Sequence, residues 1–214
     1  MATRRRREQL WDEAEAFVQQ RKFDQALPLF RSLANDDVPG AALAVATCYE
    51  SLASPELAWT WYAKAAKAGD PEGVLQLAFR AREQGKQKKA MTLARKAAKE
   101  SALARAVVAV WKWVETANPA LESELLAGIP YYESARSSLA ALLVMRGETD
   151  AARALLEEGR AAGELDCLVP LGNLLIDHYD DEQGARQVWR EALERGDINA
   201  GQNLVWLVDG RRGH

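Results

Sequence analysis

The chain has 214 residues, of which 48% are hydrophobic and 28% charged, and its formal net charge at pH 7 is −3. This apolar content is high enough for a buried core, and the absence of any run of eighteen apolar residues excludes a membrane-spanning helix. The basic residues 1–7 are followed by acidic residues and not by an apolar stretch, so we expect no secretory signal.

The predicted elements are helices throughout, because Ala and Leu dominate and β-branched runs are few. In chain order they cover roughly residues 5–20, 24–34, 40–52, 55–68, 71–84, 87–99, 102–116, 119–127, 131–146, 150–161, 166–178, 182–195 and 198–208. The short loops between them predict that neighbouring helices run antiparallel.

Several helix ends carry recognisable capping residues. Ser54 and Asp70 each precede a Pro-Glu pair, which predicts an N-cap followed by Pro at the first helical position. Glycines in left-handed conformation are expected to end five helices, at Gly69, Gly85, Gly147, Gly163 and Gly196.

A short pattern recurs along the chain at a nearly fixed period, which predicts stacked helix hairpins. Its anchor alanines, at steps of 32, 32, 30, 32 and 33 residues, are Ala26, Ala58, Ala90, Ala120, Ala152 and Ala185. Seven residues after the anchors come Leu33, Ala65, Ala97, Ala127, Gly159 and Ala192, mostly small residues that let helices approach closely.

The segment 58–70, with Ala58, Trp61, Tyr62, Ala65 and Gly69, resembles the tetratricopeptide repeat superfamily and within it the Sel-one-like branch. The resemblance covers roughly residues 8–208. It implies an all-α fold, a right-handed α-solenoid of about six antiparallel helix-hairpin repeats plus capping helices. We expect a single domain over residues 1–214, with a frayed basic segment at 1–7 and a tail at 209–214.

In proteins of this kind the first helix of each hairpin lines a concave groove. Projected onto this chain, the family's geometry implies a partner-binding set of Trp11, Leu43, Phe79, Arg82, Trp111, Asn173 and Trp206. The choice between Trp111 and Trp113 stays open. Counting residues forward from Ala90 places Trp111 in the groove, whereas counting back from Ala120 places Trp113 there.

No catalytic or nucleotide-binding motif is present, so the sequence predicts a protein that is not an enzyme and takes no cofactor. The stretch Asp177–Glu182 with His178 could form a weak cation site, but a helix end followed by an acidic N-cap explains it better and no metal is expected. Cys48 and Cys167 are predicted to be buried thiols in a reducing cytoplasm.

Charge is unevenly distributed, with 18 Lys and Arg against 13 Asp and Glu in residues 1–107, and 10 against 18 in residues 108–214. The leading hypothesis is a cytoplasmic adaptor, monomeric or weakly self-associating, that binds a peptide or helix of a partner protein in its groove. A structural subunit stacked end to end is one alternative. Binding of nucleic acid or an acidic partner by the basic face 80–99 is another, although a solvated face explains those cations better and nucleic acid is unlikely to be the partner.

Overall fold

The computed structural model describes residues 2–209, and the side-chain surroundings of residues 4–207. Within that range the chain forms thirteen α-helices and two 3-10 turns, with no strand. The helices are α1 Ala2–Gln19, α2 Phe23–Asn35, α3 Ala41–Ser51, α4 Pro55–Lys67, α5 Pro71–Glu83, α6 Gln87–Ala97, α7 Ala102–Thr116, α8 Glu122–Gly128, α9 Ser134–Met145, α10 Thr149–Ala161, α11 Leu168–Tyr179, α12 Glu182–Glu194 and α13 Ile198–Asp209. The 3-10 turns, Pro119–Leu121 and Leu165–Cys167, directly precede α8 and α11. The predicted all-helical class is confirmed.

The terminal segments differ in part from the expectation. Helix α1 begins at Ala2, so residues 2–7 are helical where a frayed segment was expected. At the other end α13 includes Asp209, and residues 210–214 of the expected tail lie outside the described range.

The helices divide into two compact units, residues 1–104 and 105–214, and the division falls in the first turn of α7. In the first unit each helix from α1 to α6 packs against the next one in the chain. Its core joins small anchors such as Ala26 and Ala58 with larger side chains, among them Phe30, Leu33 and Val45. Tyr62 is buried in this core, and its hydroxyl donates a 2.7 Å hydrogen bond to Glu50 Oε2.

The second unit has the same construction, with consecutive packing from α8 to α13. Its core is built from Leu156, Leu168, Leu171, Val188 and Trp189, with alanines at the helix crossings. Close packing leaves Gly172 pressed against the Trp189 indole, whose Nε1 donates a 3.4 Å hydrogen bond to the Val169 carbonyl.

A half-buried cation in the second unit is paired with two carboxylates. Arg136 Nε donates to Glu164 Oε2 at 2.8 Å, and its Nη1 lies 3.2 Å from Glu158 Oε2. Cys167 lies beside the same carboxylate, with its Sγ 3.4 Å from Glu164 Oε2. Burial, reinforced by that carboxylate, raises the pKa of the Cys167 thiol to about 12.

Five of the six predicted anchor alanines are buried, but the fourth one, Ala120, is exposed. The buried position in that repeat is Leu121, four residues before the buried Leu125. The shift arises because the Asn118 side chain accepts a 3.0 Å hydrogen bond from the Ala120 N–H and opens a 3-10 turn. The steps on either side of the fourth anchor are therefore 31 residues each, and not 30 and 32.

All five glycines that were expected to end helices have positive φ, between 72° and 97°. At Gly69 the bonds are those of a Schellman motif: the Gly69 N–H donates to Ala66 and the Asp70 N–H donates to Ala65. Helix α3 ends in the same way without a glycine, because Ala53 takes φ +52°. A β-carbon is unfavourable in that conformation.

Candidate protein-binding groove

A groove of about 380 Å³ runs across the second unit. Its walls come from α7, α9 and α11, the first helices of three successive hairpins, with Leu156 of α10 below them. Small residues on α9 keep the groove open, since Ser137, Ala140 and Ala141 project little beyond the backbone. The lining residues are Trp113, Val114, Ser137, Ser138, Ala140, Ala141, Val144, Leu156, Pro170, Asn173, Leu174, Asp177 and His178.

The groove is apolar along its floor and open to solvent at one wall. Val114 at the end of α7 is 66% exposed, which is unusual for a large aliphatic side chain. Ala141 is also exposed and Val144 is half-buried, so the apolar surface continues from α7 onto α9. Val114, Ala141 and Val144 thus bring apolar side chains of two helices into the lining of one groove.

Polar groups lie on the wall formed by α11. Asn173 is exposed, and its Oδ1 accepts a 3.0 Å hydrogen bond from Asn203 Nδ2 of α13. One turn further along, Asp177 and His178 are both exposed. These side chains give the groove polar groups that could orient a bound main chain or side chain.

Near the end of α11, outside the groove lining, four further carboxylates form a set that we call the acidic rim: Glu148, Asp150, Asp180 and Asp181. Tyr179 ties its two sides together, because its hydroxyl donates a 2.6 Å hydrogen bond to Asp150 Oδ1. That bond raises the pKa of Tyr179.

In the first unit a smaller cavity of about 370 Å³ lies between α1, α2 and α3. Trp11 forms one wall: it stacks edge-on against Phe30 with ring centroids 5.3 Å apart and donates from Nε1 to Glu15 at 2.7 Å. Thr47 stands at the opening, and Cys48 lies at the base, where burial raises the pKa of its thiol to about 11.

The predicted groove residues have different surroundings. Asn173 lines the groove of the second unit, and Trp11 lines the cavity of the first. Leu43 is half-buried against the first unit's core. On α5, Phe79 and Arg82 are half-buried, and Trp206 on α13 is 63% exposed.

Of the two tryptophans that the spacing leaves open, Trp113 lines the groove and Trp111 does not. Trp111 is 4% exposed and Trp113 is 9% exposed. Another first helix buries a small residue fifteen positions after its anchor, at Ala41, whereas α7 buries Ala104, fourteen positions after Ala90. One residue turns a helix by about 100°, so this difference turns Trp111 away from the groove.

The basic stretch forms an exposed face on α6. Lys88, Lys89, Arg95, Lys96 and Lys99 all point to solvent, and Ala90 and Ala94 are buried on the opposite side. This is the solvated arrangement expected from the sequence.

Within residues 2–209, no group of three or more His, Cys, Asp and Glu side chains could hold a metal ion. None of the described helices has both the length and the apolar character needed to cross a membrane.

No protein-family model and no curated protein matches the chain significantly. Solved structures do match. The structure of PilF from Pseudomonas aeruginosa superposes with a TM-score of 0.68 at 16% identity, over 96% of this chain and 99% of that one. A tetratricopeptide repeat protein from Parabacteroides merdae superposes with a TM-score of 0.60 at 16% identity, over 94% and 84%. The Sel-one-like branch stays a prediction, and the chain has the tetratricopeptide-like fold, an α-solenoid of helix hairpins.

Proposed function

We propose that this protein is a non-catalytic interaction scaffold that binds a peptide or helix of a partner protein in the groove between α7, α9 and α11. The observation that carries the proposal is the exposed apolar strip from Val114 to Val144, bordered by the polar wall at Asn173. An apolar helix face laid in such a groove removes both surfaces from water, at roughly 25 cal/mol for each Å² buried.

The groove size agrees with this use. Its volume of about 380 Å³ lies at the lower end of the range for ligand pockets, which suits a few anchoring side chains. The exposed Trp206 on α13 could extend the contact beyond the groove, since aromatic residues dominate the energetics of protein interfaces. Trp11, Leu43, Phe79 and Arg82 are proposed as a further contact set in the first unit.

The remaining expectations belong to the same proposal. A single domain over residues 1–214, monomeric or weakly self-associating, would act in the cytoplasm, where its two free cysteines stay reduced. The exposed cations of α6 support one second candidate function, docking of an acidic partner on the basic face.

The test compares two arginine substitutions at equally exposed aliphatic residues. Val114→Arg places a charge in the groove, whereas Leu126→Arg places one on α8, which contributes no residue to the groove. A partner identified by affinity purification from the native host and then made pure should bind wild type and Leu126→Arg alike. It should bind Val114→Arg at least tenfold more weakly. Equal binding to all three proteins would rule out the groove as the binding site.

A further inference from the structure

We infer that the segment bound in the groove is cationic, with apolar anchors followed by Lys or Arg residues on the side nearest the end of α11. This inference rests on the proposed function and adds the chemistry of the partner. It depends on the charges in and beside the groove.

The groove lining contains one carboxylate and no lysine or arginine. Among its thirteen lining residues, all of them described, Asp177 is the only acidic side chain, and His178 beside it is the only basic one. Asp177 is exposed, and no hydrogen bond or ion pair engages its side chain within the described range. An anionic peptide would therefore meet repulsion from Asp177 with no lysine or arginine to offset it, whereas a lysine or arginine of the peptide would gain a partner.

The acidic rim strengthens the same preference. Glu148 and Asp180 are exposed, and neither has an ion-pair partner in the part of the chain that the structure describes. The Tyr179 hydrogen bond holds Asp150 beside the end of α11, and Asp180 follows three residues after Asp177.

Two arginines near the rim offset part of its charge. Arg153 lies over the Tyr179 ring at 5.0 Å, its Nε donates to Glu157 at 2.8 Å, and it is also attracted to Asp181. Arg186 is held by Glu182 at 3.0 Å. The four carboxylates of the rim outnumber these two arginines, each of which is already engaged with a carboxylate on its own helix, so the rim stays net negative.

A protein segment fits this surface better than the other anionic or amphipathic partners. Nucleic acid and anionic lipid headgroups carry phosphates, which Asp177 and the acidic rim would repel. The apolar strip needs a partner with its own apolar residues, and a cationic amphipathic helix or peptide supplies both.

The first experiment is a selection with displayed random 16-residue peptides on the full-length protein. Peptides that bind wild type and Leu126→Arg but not Val114→Arg are scored for net charge. The inference expects these groove-dependent peptides to be net positive, with apolar residues at helical spacing. Groove-dependent peptides that are neutral or acidic would overturn the inference and leave the proposed function standing. A selection that yields no groove-dependent peptide would overturn both.

The second experiment measures the affinity of one selected peptide by fluorescence anisotropy. Asp177→Lys should weaken it roughly tenfold or more, since it replaces an attraction with a repulsion. Glu194→Lys, which reverses an exposed acid on α12 away from the groove, should change the affinity less than about twofold. Far-UV circular dichroism confirms that both variants are folded. Equal effects of the two substitutions would show that overall charge, and not the groove, determines binding.

Discussion

Gly172→Ala should destabilise the protein even though alanine is the better helix former. Gly172 lies within α11, and a β-carbon built there would come within 2.6 Å of Trp189 Cδ1. Trp189 cannot yield easily, because it is buried in the second unit's core and donates its Nε1 hydrogen bond to Val169. The substitution therefore forces a rigid aromatic ring to move.

Three effects determine how much unfolding free energy Gly172→Ala loses. Replacing glycine by alanine inside a helix gains about 1 kcal/mol of unfolding free energy. Overpacking a core costs about 1–3 kcal/mol, and weakening the indole hydrogen bond costs about 1 kcal/mol more. The expected net loss at Gly172 is about 2 kcal/mol.

Urea unfolding followed by circular dichroism at 222 nm measures this loss. The matched control is Gly201→Ala in α13, where a new β-carbon would meet only Leu193 Cδ1 at an ordinary 3.4 Å. That variant should gain about 0.5–1 kcal/mol. If Gly172→Ala is as stable as wild type, the close packing of the glycine on the indole does not constrain the fold. A second check is Trp189→Phe, which should reduce the cost of Gly172→Ala to below about 1 kcal/mol.

Five further outcomes are expected. Ellman's reagent should leave Cys48 and Cys167 unmodified in the native protein at pH 8 and modify both in denaturant; rapid native labelling would contradict their burial. Because burial raises these thiol pKa values to about 11 and about 12, from the ordinary 9, the unfolded chain ionises first. The free energy of unfolding contributed by the thiols should therefore fall as pH rises above about 9. Tyr62→Phe removes the hydrogen bond to a carboxylate and should cost about 1 kcal/mol in urea unfolding; no change would mean that the bond is not maintained in solution. Ala53→Gly should gain about 0.5–1 kcal/mol by removing a β-carbon from a left-handed residue, and a loss would refute that reasoning. Asp70→Ala removes a side chain that accepts from two helix N–H groups and should lower the melting temperature by a few degrees, equivalent to about 1 kcal/mol.

Helix ends were predictable from sequence where a residue's local preference coincides with what the backbone requires. Each of those helices ends at a residue in left-handed conformation, which glycine adopts without strain, as at Gly69. Asp70 caps α5 as expected, but Ser54 does not cap α4: its hydroxyl donates instead to the Leu52 carbonyl at 3.4 Å. The two motifs look alike in sequence, and the difference lies in the backbone, with ψ 119° at Asp70 and 64° at Ser54.

The groove was predictable only in part, because its position depends on helix phase. Asn173 lines the groove, as the family's geometry implies. At α7 the spacing left Trp111 and Trp113 open, and the groove is lined by Trp113. Asp177, Asp180 and Asp181 were visible in the sequence only as part of a metal-like cluster around His178. Asp150 lies near them because it accepts the Tyr179 hydrogen bond, a contact across 29 residues that the sequence does not reveal.

The small residues at the helix crossings explain how very different sequences can build the same fold. Each hairpin needs little more than an alanine or glycine where two helices touch and an apolar residue beside it. Most other positions in a repeat face solvent or can exchange one apolar side chain for another. Two chains can therefore share this backbone over nearly their full lengths although only 16% of their residues match, as this chain and PilF do. The likeness carries the fold alone, so a partner has to be determined for this chain itself.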